Sequence, residues 1–544
     1  MMGAKEYKKN PISIANEVVE EIKNNEIFET ITAVPPGFIN ITIKDSFIVD
    51  KSNAIVDNFD NLIKKVENNP NIVIDYGGPN VAKPLHVGHL RSAIIGESTK
   101  RLAKNLGYNA IGDIHLGDWG LQMGLIITEY AEQHPDSIYM NENYTGPYEK
   151  LDLTLEDLNE IYPLASKKSK EDEEYYKKAK KTTFELQNGR PGYTAFWKEV
   201  MRISVADLKQ NYDKLGVEFE LWYGESDCQK YIPNMIKDFI EKGYAHESEG
   251  ALVIDVEKPD DKAPMPPVIV KKADGSDIYA TTDLATILQR MQDYNPKMMV
   301  YFTDSRQALH FEQVFRAARK TGLVTDENEL EFNGFGTMNG KDGKPYKTRD
   351  GGVMRLSDLI NTVVTGAEEK MKESKTGLDL SEEEQKNIAE MIGIAALKFG
   401  DLINHRSKDY IFDLEKFLSF EGKTGPYLLY TMVRLKAILR KASENGYKLG
   451  TIKSIYSDAE RDIMLKILNT SDVFWQAFDD KAPSIVCENA YQIASLANKF
   501  YYETKILSEE NEEKRASLLA FCELILKVLQ VHMDILAIKV PEVM

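Results

Sequence analysis

Two histidines that flank a glycine, in the run His86-Val87-Gly88-His89, have the spacing that most directly suggests chemistry in this sequence. They precede a segment with helical periodicity, and a helix N-terminus offers free N–H groups and a positive dipole end to a phosphate chain. Two imidazoles on one helix face can donate to phosphate oxygens as charge builds on them, and Gly88 leaves room for an adenosine. The motif predicts a nucleoside triphosphate site. The alternative is a pair of helix-capping histidines without a ligand.

The elements around this motif predict how it is positioned. Asn71–Tyr76 reads as a buried strand, the loop GGPNVAKP follows, and an apolar-periodic helix leads to a second strand at about 110–115. Strand, glycine-bearing loop, helix and strand form a βαβ unit, and parallel α/β sheets bind ligands at the carboxyl ends of their strands. The fold class predicted is α/β, with a Rossmann-type parallel-sheet catalytic domain.

The rest of the chain divides by composition and periodicity. Residues 1–70 predict a small N-terminal α/β unit, and the charged, tyrosine-rich stretch at about 131–250 predicts a helical insertion. Strand-like runs at 251–256, 268–271, 298–303 and 331–336 predict that the sheet resumes after the insertion. Helical patterns dominate from about 381, including 427–440 and 516–538. The predicted domains are 1–70, 71–365, connecting helices at 366–420, and an all-α domain at 421–544.

Composition limits the class of protein. With 544 residues and 42% hydrophobic content, the chain can form several packed domains. A net charge of −18 predicts that any RNA footprint is patchy. No apolar stretch near the about 18 residues of a membrane span and no secretory signal are apparent. The three cysteines (Cys228, Cys487 and Cys522) are far apart, so neither a disulfide framework nor a zinc site is expected, and a cytoplasmic location is favoured.

The stretch DYGGPNVAKPLHVGHLRSAIIGE is similar to the first signature of class I aminoacyl-tRNA synthetases, in the form that arginyl-tRNA synthetases use. IHLGDWGLQMG (114–124), DGSDIYATTDLA (274–285), DSRQALHF (304–311), GKDGKPYKTRDGG (340–352) and EGKTGPYLLY (421–430) continue the resemblance in order along essentially the whole chain. It implies an arginine–tRNA ligase with ATP as co-substrate, Mg²⁺ accompanying the ATP, and tRNA(Arg) and L-arginine as partners. We also expect no metal bound by the protein itself, no membrane partner and a monomer.

The same resemblance implies roles in ATP handling. His86 and His89 contact the triphosphate and stabilise the transition state, and Gly88 makes room for the nucleotide. The other implied nucleotide-binding residues are His115, Gly117, Asp118, Gly336 and Met338. For the HLGDWG run, a tight turn with Trp119 in the core is the alternative.

The second signature of the class departs from its usual K-M-S-K-S form. The corresponding place reads Lys347-Thr348-Arg349, so the usual second lysine is absent. Cations are still needed on the developing pyrophosphate. Lys347 and Arg349 remain there, and the resemblance assigns the missing charge to Lys83; the alternative is an ordinary exposed lysine.

A pocket selective for arginine should present carboxylates and carbonyl oxygens, because a guanidinium is planar, charged and carries five donors. The resemblance implies Asp75, Asn80, Tyr279, Asp283 and Gln307. Asp283 can pair with the guanidinium, and Asp75 or Asn80 can fix the α-amino group. The alternatives are that Asp283 caps a helix and Asn80 holds a turn. Such a pocket rejects lysine without an editing domain.

The RNA side also rests on resemblance, of the helical region to an anticodon-binding domain. Candidates for base stacking are Tyr427, Tyr430, Phe500 and Tyr501, and candidates for phosphate contacts are Arg434, Lys436 and Arg440. The alternatives are core aromatics and a solvated face. The N-terminal unit resembles the latter part of the family's tRNA elbow-contacting domain, and its short length predicts a truncated or late-started chain with weakened elbow docking.

Two other functions remain open at this point. A simpler nucleotidylyltransferase shares the histidine motif and the βαβ unit, but it does not need the long helical region or the DSRQ segment. A catalytically inactive paralogue kept for RNA binding is disfavoured because both histidines, Lys83 and the pocket carboxylates are present. Arginine-dependent ATP–pyrophosphate exchange distinguishes all three.

Overall fold

The computed structural model describes residues 5–273, 275–346, 354–374, 377 and 379–544. The N-terminal unit contains α1 (Pro11–Ile22), β1 (Phe28–Val34), β2 (Phe38–Ile43) and α2 (Asp45–Asp57). The strands β1 and β2 pair antiparallel. The start of α1 follows from its sequence, since Asn10 accepts a hydrogen bond from the backbone N–H of Ile12 and Pro11 needs no helical donor. The predicted small α/β unit is therefore present.

The middle of the chain alternates helices and strands. Its elements are β3 (Asn71–Asp75), α3 (Val87–Asn105), β4 (Asn109–Asp113), α4 (Leu121–Gln133), α5 (Leu155–Glu171), α6 (Glu173–Gln187), α7 (Pro191–Leu215), α8 (Ile232–Glu241), β5 (His246–Ser248), β6 (Ala251–Ile254), β7 (Val268–Lys271), α9 (Tyr279–Tyr294), β8 (Met298–Tyr301), α10 (Ala308–Lys320), β9 (Glu329–Phe332), β10 (Met338–Asn339) and α11 (Leu356–Ser374). Short 3-10 turns lie at Phe59–Leu62, Gln229–Tyr231 and Ser305–Gln307.

A four-stranded parallel sheet positions the site. Its strand order is β4-β3-β8-β9, and Val73 on β3 pairs with Ile111 on β4 and Met299 on β8. Strands covered on both faces by helices carry continuous apolar runs, and Ile72, Val73 and Ile74 are all fully buried. The predicted Rossmann-type α/β fold is confirmed, and the carboxyl ends of β3, β4 and β8 open onto one edge.

Two of the strands expected to resume this sheet lie elsewhere. β5, β6 and β7 form a separate antiparallel sheet, so the prediction for 251–256 and 268–271 is wrong in its placement. The burial pattern explains the difference, because Ile269 in the middle of β7 is 40% exposed while Val268 and Val270 are buried. A sheet with one solvent-exposed face can be antiparallel, whereas the strands of a parallel sheet are buried on both faces. The strand expected at 331–336 begins earlier, as β9.

Helices make up most of the remaining chain. The elements are α12 (Glu382–Leu402), β11 (Tyr410–Ile411), α13 (Leu414–Phe417), α14 (Gly425–Glu444), α15 (Asp458–Leu468), α16 (Thr470–Asp479), α17 (Pro483–Glu503) and α18 (Glu512–Ile535). By length and composition α18 could cross a membrane, contrary to the expectation that no segment is apolar enough. Inside the protein, 67% of its apolar window is buried, so it packs as a core helix.

A buried junction joins the helical region to α3. Lys398 on α12 is fully buried, and its Nζ donates to two backbone carbonyls at 2.6 Å each. Arg101 on α3 donates to two neighbouring carbonyls at 3.1 and 3.3 Å. The four acceptors are the carbonyl oxygens of Leu215, Gly216, Asp534 and Ala537. Because the last carbonyls of a helix have no helical partner, these two cations satisfy the ends of α7 and α18 together.

Candidate nucleotide and amino-acid site

The two histidines of the first motif are locked into the start of α3. His86 is the N-cap residue, and its Nδ1 accepts from the backbone N–H of Gly88 at 3.0 Å. The backbone N–H of His86 in turn donates to Nδ1 of His89 at 3.1 Å. A Cβ at Gly88 would lie 2.8 Å from the ring of His86, so glycine lets that ring fold back. Both histidines therefore cap the helix, and this capping does not exclude a ligand.

This capping fixes the proton on each ring. Since both Nδ1 atoms accept hydrogen bonds, each neutral imidazole carries its proton on Nε2 and presents a donor away from the helix. Burial lowers the pKa of His89 to about 3, with His86 adding to the shift, and burial together with Lys83 lowers the pKa of His86. The rings lie 3.9 Å apart. The two imidazoles therefore form a pair of neutral hydrogen-bond donors. Such a pair can bind phosphate oxygens although it carries no positive charge of its own.

The second signature region is joined to the first by backbone hydrogen bonds. The N–H of Val87 donates to the carbonyl of Met354 at 3.0 Å, and the N–H of Leu356 donates to the carbonyl of Leu85 at 2.8 Å. On the other side, the N–H of Tyr346 donates to the carbonyl of Met338 at 3.0 Å. Lys347 and Arg349 lie outside the described residues, but both flanks of their segment are held beside α3.

Lys83 lies three residues before His86 and contacts the helical insertion. Its Nζ is 4.0 Å from the centre of the Tyr162 ring on α5. A cation over an aromatic face is stabilised there while its donors remain available. The charge of Lys83 also contributes to the lowered pKa of His86, so the two side chains are electrostatic neighbours. The structure thus brings this cation next to the histidine pair.

The loop after β4 is held tightly against the loop after β3. Gly117 pairs with Asn80, and a Cβ on Gly117 would lie 2.1 Å from Oδ1 of Asn80. Asp118 is buried, and its two carboxylate oxygens accept from the N–H and the hydroxyl of Ser226 at 3.0 and 2.6 Å. Burial raises the pKa of Asp118 to about 6. The Asp118 side chain therefore holds the loop that contains Ser226.

Asp75 ends β3 and is already paired inside the protein. Nη2 of Arg290 lies 2.6 Å from carboxylate oxygens of both Asp75 and Asp113. Ligand atoms of these two aspartates and His115 all fall within 4.8 Å of one another, a spacing that a cation could bridge. The buried guanidinium of Arg290 already supplies the positive charge, so we do not assign a metal site there.

Two carboxylates remain for a cationic substrate. Asp283, near the start of α9, contacts His310 at 2.6 Å through Oδ2. Glu225, which no sequence prediction included, has no ion pair among the described residues, and burial raises its pKa to about 7, with Asp118 and Asp283 adding to the shift. Loss of solvation around its hydroxyl, and then the charge of Glu225, raise the pKa of Tyr279. These groups form one acidic cluster, which we call the carboxylate pocket.

The predicted residues divide into those linked to the carboxylate pocket and those that lie elsewhere. A chain of contacting or electrostatically interacting groups runs from His86 through Lys83, Tyr162, Tyr279 and Glu225 to Asp283 and His115. Gln307 is exposed in the turn before α10. The carbonyl of Gly336 accepts from Arg91 of α3 at 2.8 Å, and Met338 is buried in β10.

Sequence reasoning missed Glu225, Arg290 and His310. Glu225 stands in a loop near the end of the insertion, after α7, and its sequence neighbours carry no recognisable pattern. His310 had a weak signal, since it lies three residues after Gln307 and so on the same helix face. The two partners of Arg290, Asp75 and Asp113, are 215 and 177 residues away in sequence, so only the fold reveals these pairs.

Three of the aromatic candidates for RNA binding are of two kinds, one buried in the core and two exposed. Phe500 is fully buried and packs on Phe521 at 5.3 Å, so the core alternative holds for it. Tyr430 and Tyr501 are 45% and 38% exposed, and the guanidinium of Arg434 lies 4.7 and 4.6 Å from their rings. Tyr502, also 75% exposed, completes this group, which we call the tyrosine–arginine patch.

The other three candidates for RNA contacts either have a partner within the protein or are exposed to solvent. Tyr427 accepts from the side-chain amide of Asn498 at 3.0 Å. Lys436 pairs with Glu542 at 2.7 Å, and Arg440 is exposed. None of these three stacks in the patch.

Comparison with known proteins gives the class first. Residues 52–414 match the family described as tRNA synthetases class I (R), catalytic domain; residues 428–544 match the DALR anticodon binding domain, and residues 1–43 match the arginyl tRNA synthetase N terminal domain. The solved arginyl-tRNA synthetase of Thermus thermophilus has the same fold, with a TM-score of 0.80 at 20% identity over 99% of this chain and 93% of that one. The fold and the histidine motif are those of a class I aminoacyl-tRNA synthetase.

Two closer similarities narrow the class. An arginine–tRNA ligase of Agathobacter rectalis is 49% identical over 551 residues, covering 100% of this chain and 92% of the relative. The arginyl-tRNA synthetase structure of Plasmodium falciparum aligns with a TM-score of 0.82 at 25% identity, over 99% of this chain and 91% of that one. The chain belongs to the arginyl-tRNA synthetase family.

Proposed function

We propose that this protein is an arginine–tRNA ligase, which activates L-arginine with ATP and transfers it to the terminal adenosine of tRNA(Arg). One observation carries the proposal beyond family membership. Neutral imidazole donors suited to a triphosphate lie near two carboxylates suited to a guanidinium, Asp283 and Glu225, and a chain of neighbouring groups connects them. A nucleotidylyltransferase without an amino-acid substrate has no need of the second feature.

In the first step, a carboxylate oxygen of arginine attacks the α-phosphorus of ATP and pyrophosphate leaves. We assign the Nε2 donors of His86 and His89 to the oxygens on which charge increases, and Lys83 to the pyrophosphate side. Glu225 and Asp283 hold the guanidinium, with Tyr279 beside it. ATP enters as its magnesium complex, and phosphate oxygens supply the ligands that Mg²⁺ prefers.

In the second step, the 2′-hydroxyl of the terminal ribose attacks the carbonyl carbon of arginyl-adenylate and AMP leaves. Asp75 is paired with Arg290 and Asp118 with Ser226, so we assign neither as the base for this hydroxyl. The leaving phosphate of AMP is itself an acceptor for the proton. We assign Asn80 and Gln307 to the α-amino and carboxylate end of the substrate.

We also propose the division of labour along the chain. Residues 1–70 contact tRNA, residues 71–365 carry both chemical steps with the insertion at about 131–250, residues 366–420 connect, and residues 421–544 bind the anticodon. The family matches at 1–43, 52–414 and 428–544 support this order. The protein is proposed to act as a cytoplasmic monomer, in keeping with three buried, unpaired cysteines.

ATP–pyrophosphate exchange tests the function directly. With tRNA(Arg) present, we expect exchange that depends on L-arginine. The reason is that the groups that select the guanidinium lie next to the groups that bind the nucleotide. Lysine should support at most a small fraction of this rate, since its single ammonium leaves acceptors of the pocket unpaired. Exchange with a different amino acid, or none with arginine and tRNA together, would refute the assignment.

The tyrosine–arginine patch predicts a separable effect on RNA binding. Tyr430→Ala is expected to raise the KM for tRNA(Arg) about tenfold, because stacking of an unpaired base is worth roughly 1–3 kcal/mol, while the KM for ATP stays unchanged. Tyr456→Ala is a matched control, since Tyr456 is 41% exposed in the same region but contacts Lys514. Equal effects of the two substitutions on aminoacylation would contradict the patch as an RNA contact.

A further inference from the structure

One histidine outside the nucleotide motif contacts the carboxylate pocket. His310 lies on the first turn of α10, and its Nε2 is 2.6 Å from Oδ2 of Asp283 on α9. Among the described residues, the Asp283 carboxylate makes no other side-chain hydrogen bond. A carboxylate accepts and does not donate when ionised, so the ring proton of this contact is on Nε2.

The backbone around His310 is held in place from both sides. The next residue, Phe311, is buried, with its ring 5.1 Å from that of Tyr301 on β8 and 5.4 Å from that of Phe332 on β9. On the other side, Asp304 caps the preceding turn by accepting from the N–H of Arg306 at 2.9 Å. The imidazole is therefore placed by the sheet rather than by a free loop, at the carboxyl end of β8.

The contact uses one oxygen of Asp283 and leaves the other. Oδ2 is engaged by His310, whereas Oδ1 has no partner among the described residues. A guanidinium needs acceptors at defined positions, and a carboxylate held through one oxygen presents the second in a fixed direction. Without a donor, Asp283 would face the neighbouring carboxylate of Glu225 with nothing to set its rotation.

We propose that His310 is a positioning residue for arginine recognition: its Nε2 hydrogen bond orients Asp283 so that Oδ1 meets the substrate guanidinium. This inference rests on the proposed function, because it requires arginine to occupy the carboxylate pocket. In this proposal His310 acts on the substrate only through its contact with Asp283. Its loss therefore acts on amino-acid binding, and only through Asp283.

The test is ATP–pyrophosphate exchange with tRNA(Arg), measured on full-length variants. His310→Ala is expected to raise the KM for arginine about tenfold or more, which is the usual effect of a lost hydrogen bond to a charged group. The KM for ATP should stay within about twofold. His310→Gln keeps an amide donor near the position of Nε2 and should restore most of the arginine affinity. Gln313→Ala is the control for disturbing α10, since Gln313 bonds the carbonyl of Pro266 instead.

A double-mutant cycle separates positioning from general destabilisation. In the Asp283→Ala background, adding His310→Ala should change the KM for arginine by less than about twofold, because the partner is already gone. The inference is overturned if His310→Ala raises both KM values equally, if His310→Gln behaves like alanine, or if the two effects simply add. Absence of arginine-dependent exchange in the unmodified protein overturns the proposed function and this inference together, whereas normal exchange with an unaffected His310→Ala overturns this inference alone.

Discussion

His89→Ala is expected to lower kcat for arginine-dependent pyrophosphate exchange by about 10²- to 10³-fold, the usual effect of removing one donor from a site where charge develops. The KM for arginine should change little, because the Nε2 donor of His89 acts on phosphate oxygens and not on the guanidinium. Steady-state exchange over a range of arginine and ATP concentrations measures both quantities. An equal loss in kcat and in arginine affinity would contradict a transition-state role.

The cap that His89 makes needs its own control. His89→Ala removes the acceptor for the N–H of His86, which costs roughly 1 kcal/mol of stability for a helix cap. His89→Gln keeps an acceptor at this third helical position, as glutamine does in capping boxes. We expect His89→Gln to retain the thermal stability of the unmodified protein while losing much of its kcat. Full activity in His89→Gln would show that the cap, and not the imidazole, is what matters.

The pH dependence of this step follows from the lowered pKa values. Burial lowers the pKa of His89 to about 3, so its ring is neutral at pH 6.5, and burial with Lys83 lowers the pKa of His86, so the neutral form of its ring is the major one at that pH. Catalysis through neutral Nε2 donors should therefore show no loss of kcat as pH rises through 6.5.

Glu225→Gln is expected to raise the KM for arginine about 10²-fold, because truncating one partner of a buried charge pair typically costs 2–5 kcal/mol. The unmodified protein should also lose arginine affinity as pH falls below about 7. The sign follows from the raised pKa: burial keeps Glu225 protonated at lower pH, and only the ionised form attracts the guanidinium. The KM for arginine, measured between pH 6 and pH 8.5, checks both expectations.

The pH profile gives this prediction a specific signature. In Glu225→Gln the rise in KM below pH 7 should disappear, leaving a weak and nearly pH-independent affinity. Glu247→Gln serves as the control, since Glu247 is an exposed carboxylate on β5 and should leave the profile unchanged. If the unmodified protein binds arginine equally well at pH 6 and pH 8, or if Glu225→Gln keeps the same slope, Glu225 is not the titrating partner of the substrate.

Much of this architecture could be predicted from the sequence, because it depends on local patterns. The strand before the motif, the helix from Val87 and the helical character of the last third all follow from periodicity and match the structure. The antiparallel placement of β6 and β7 could not be predicted, because a short apolar run does not reveal its partner strand.

The site divides in the same way. His86 and His89 are recognisable because their chemistry is contained in four consecutive residues. Glu225 is not, because its importance comes from burial without a cation, which only the fold creates. The pairs Asp75–Arg290 and Asp118–Ser226 likewise join distant segments and give two predicted ligand residues internal partners.

The junction at Lys398 and Arg101 has a mechanical consequence. Helix α3 carries the histidine pair at one end and Arg101 fifteen residues later, a stiff span of about 22 Å. Arg101 and Lys398 both donate to carbonyls at the ends of α7 and α18. If the helical region moved relative to α3, these four carbonyls would lose their hydrogen-bond donors. A displacement of α18 therefore acts on α3 near Arg101, and α3 is the helix whose N-terminus carries His86.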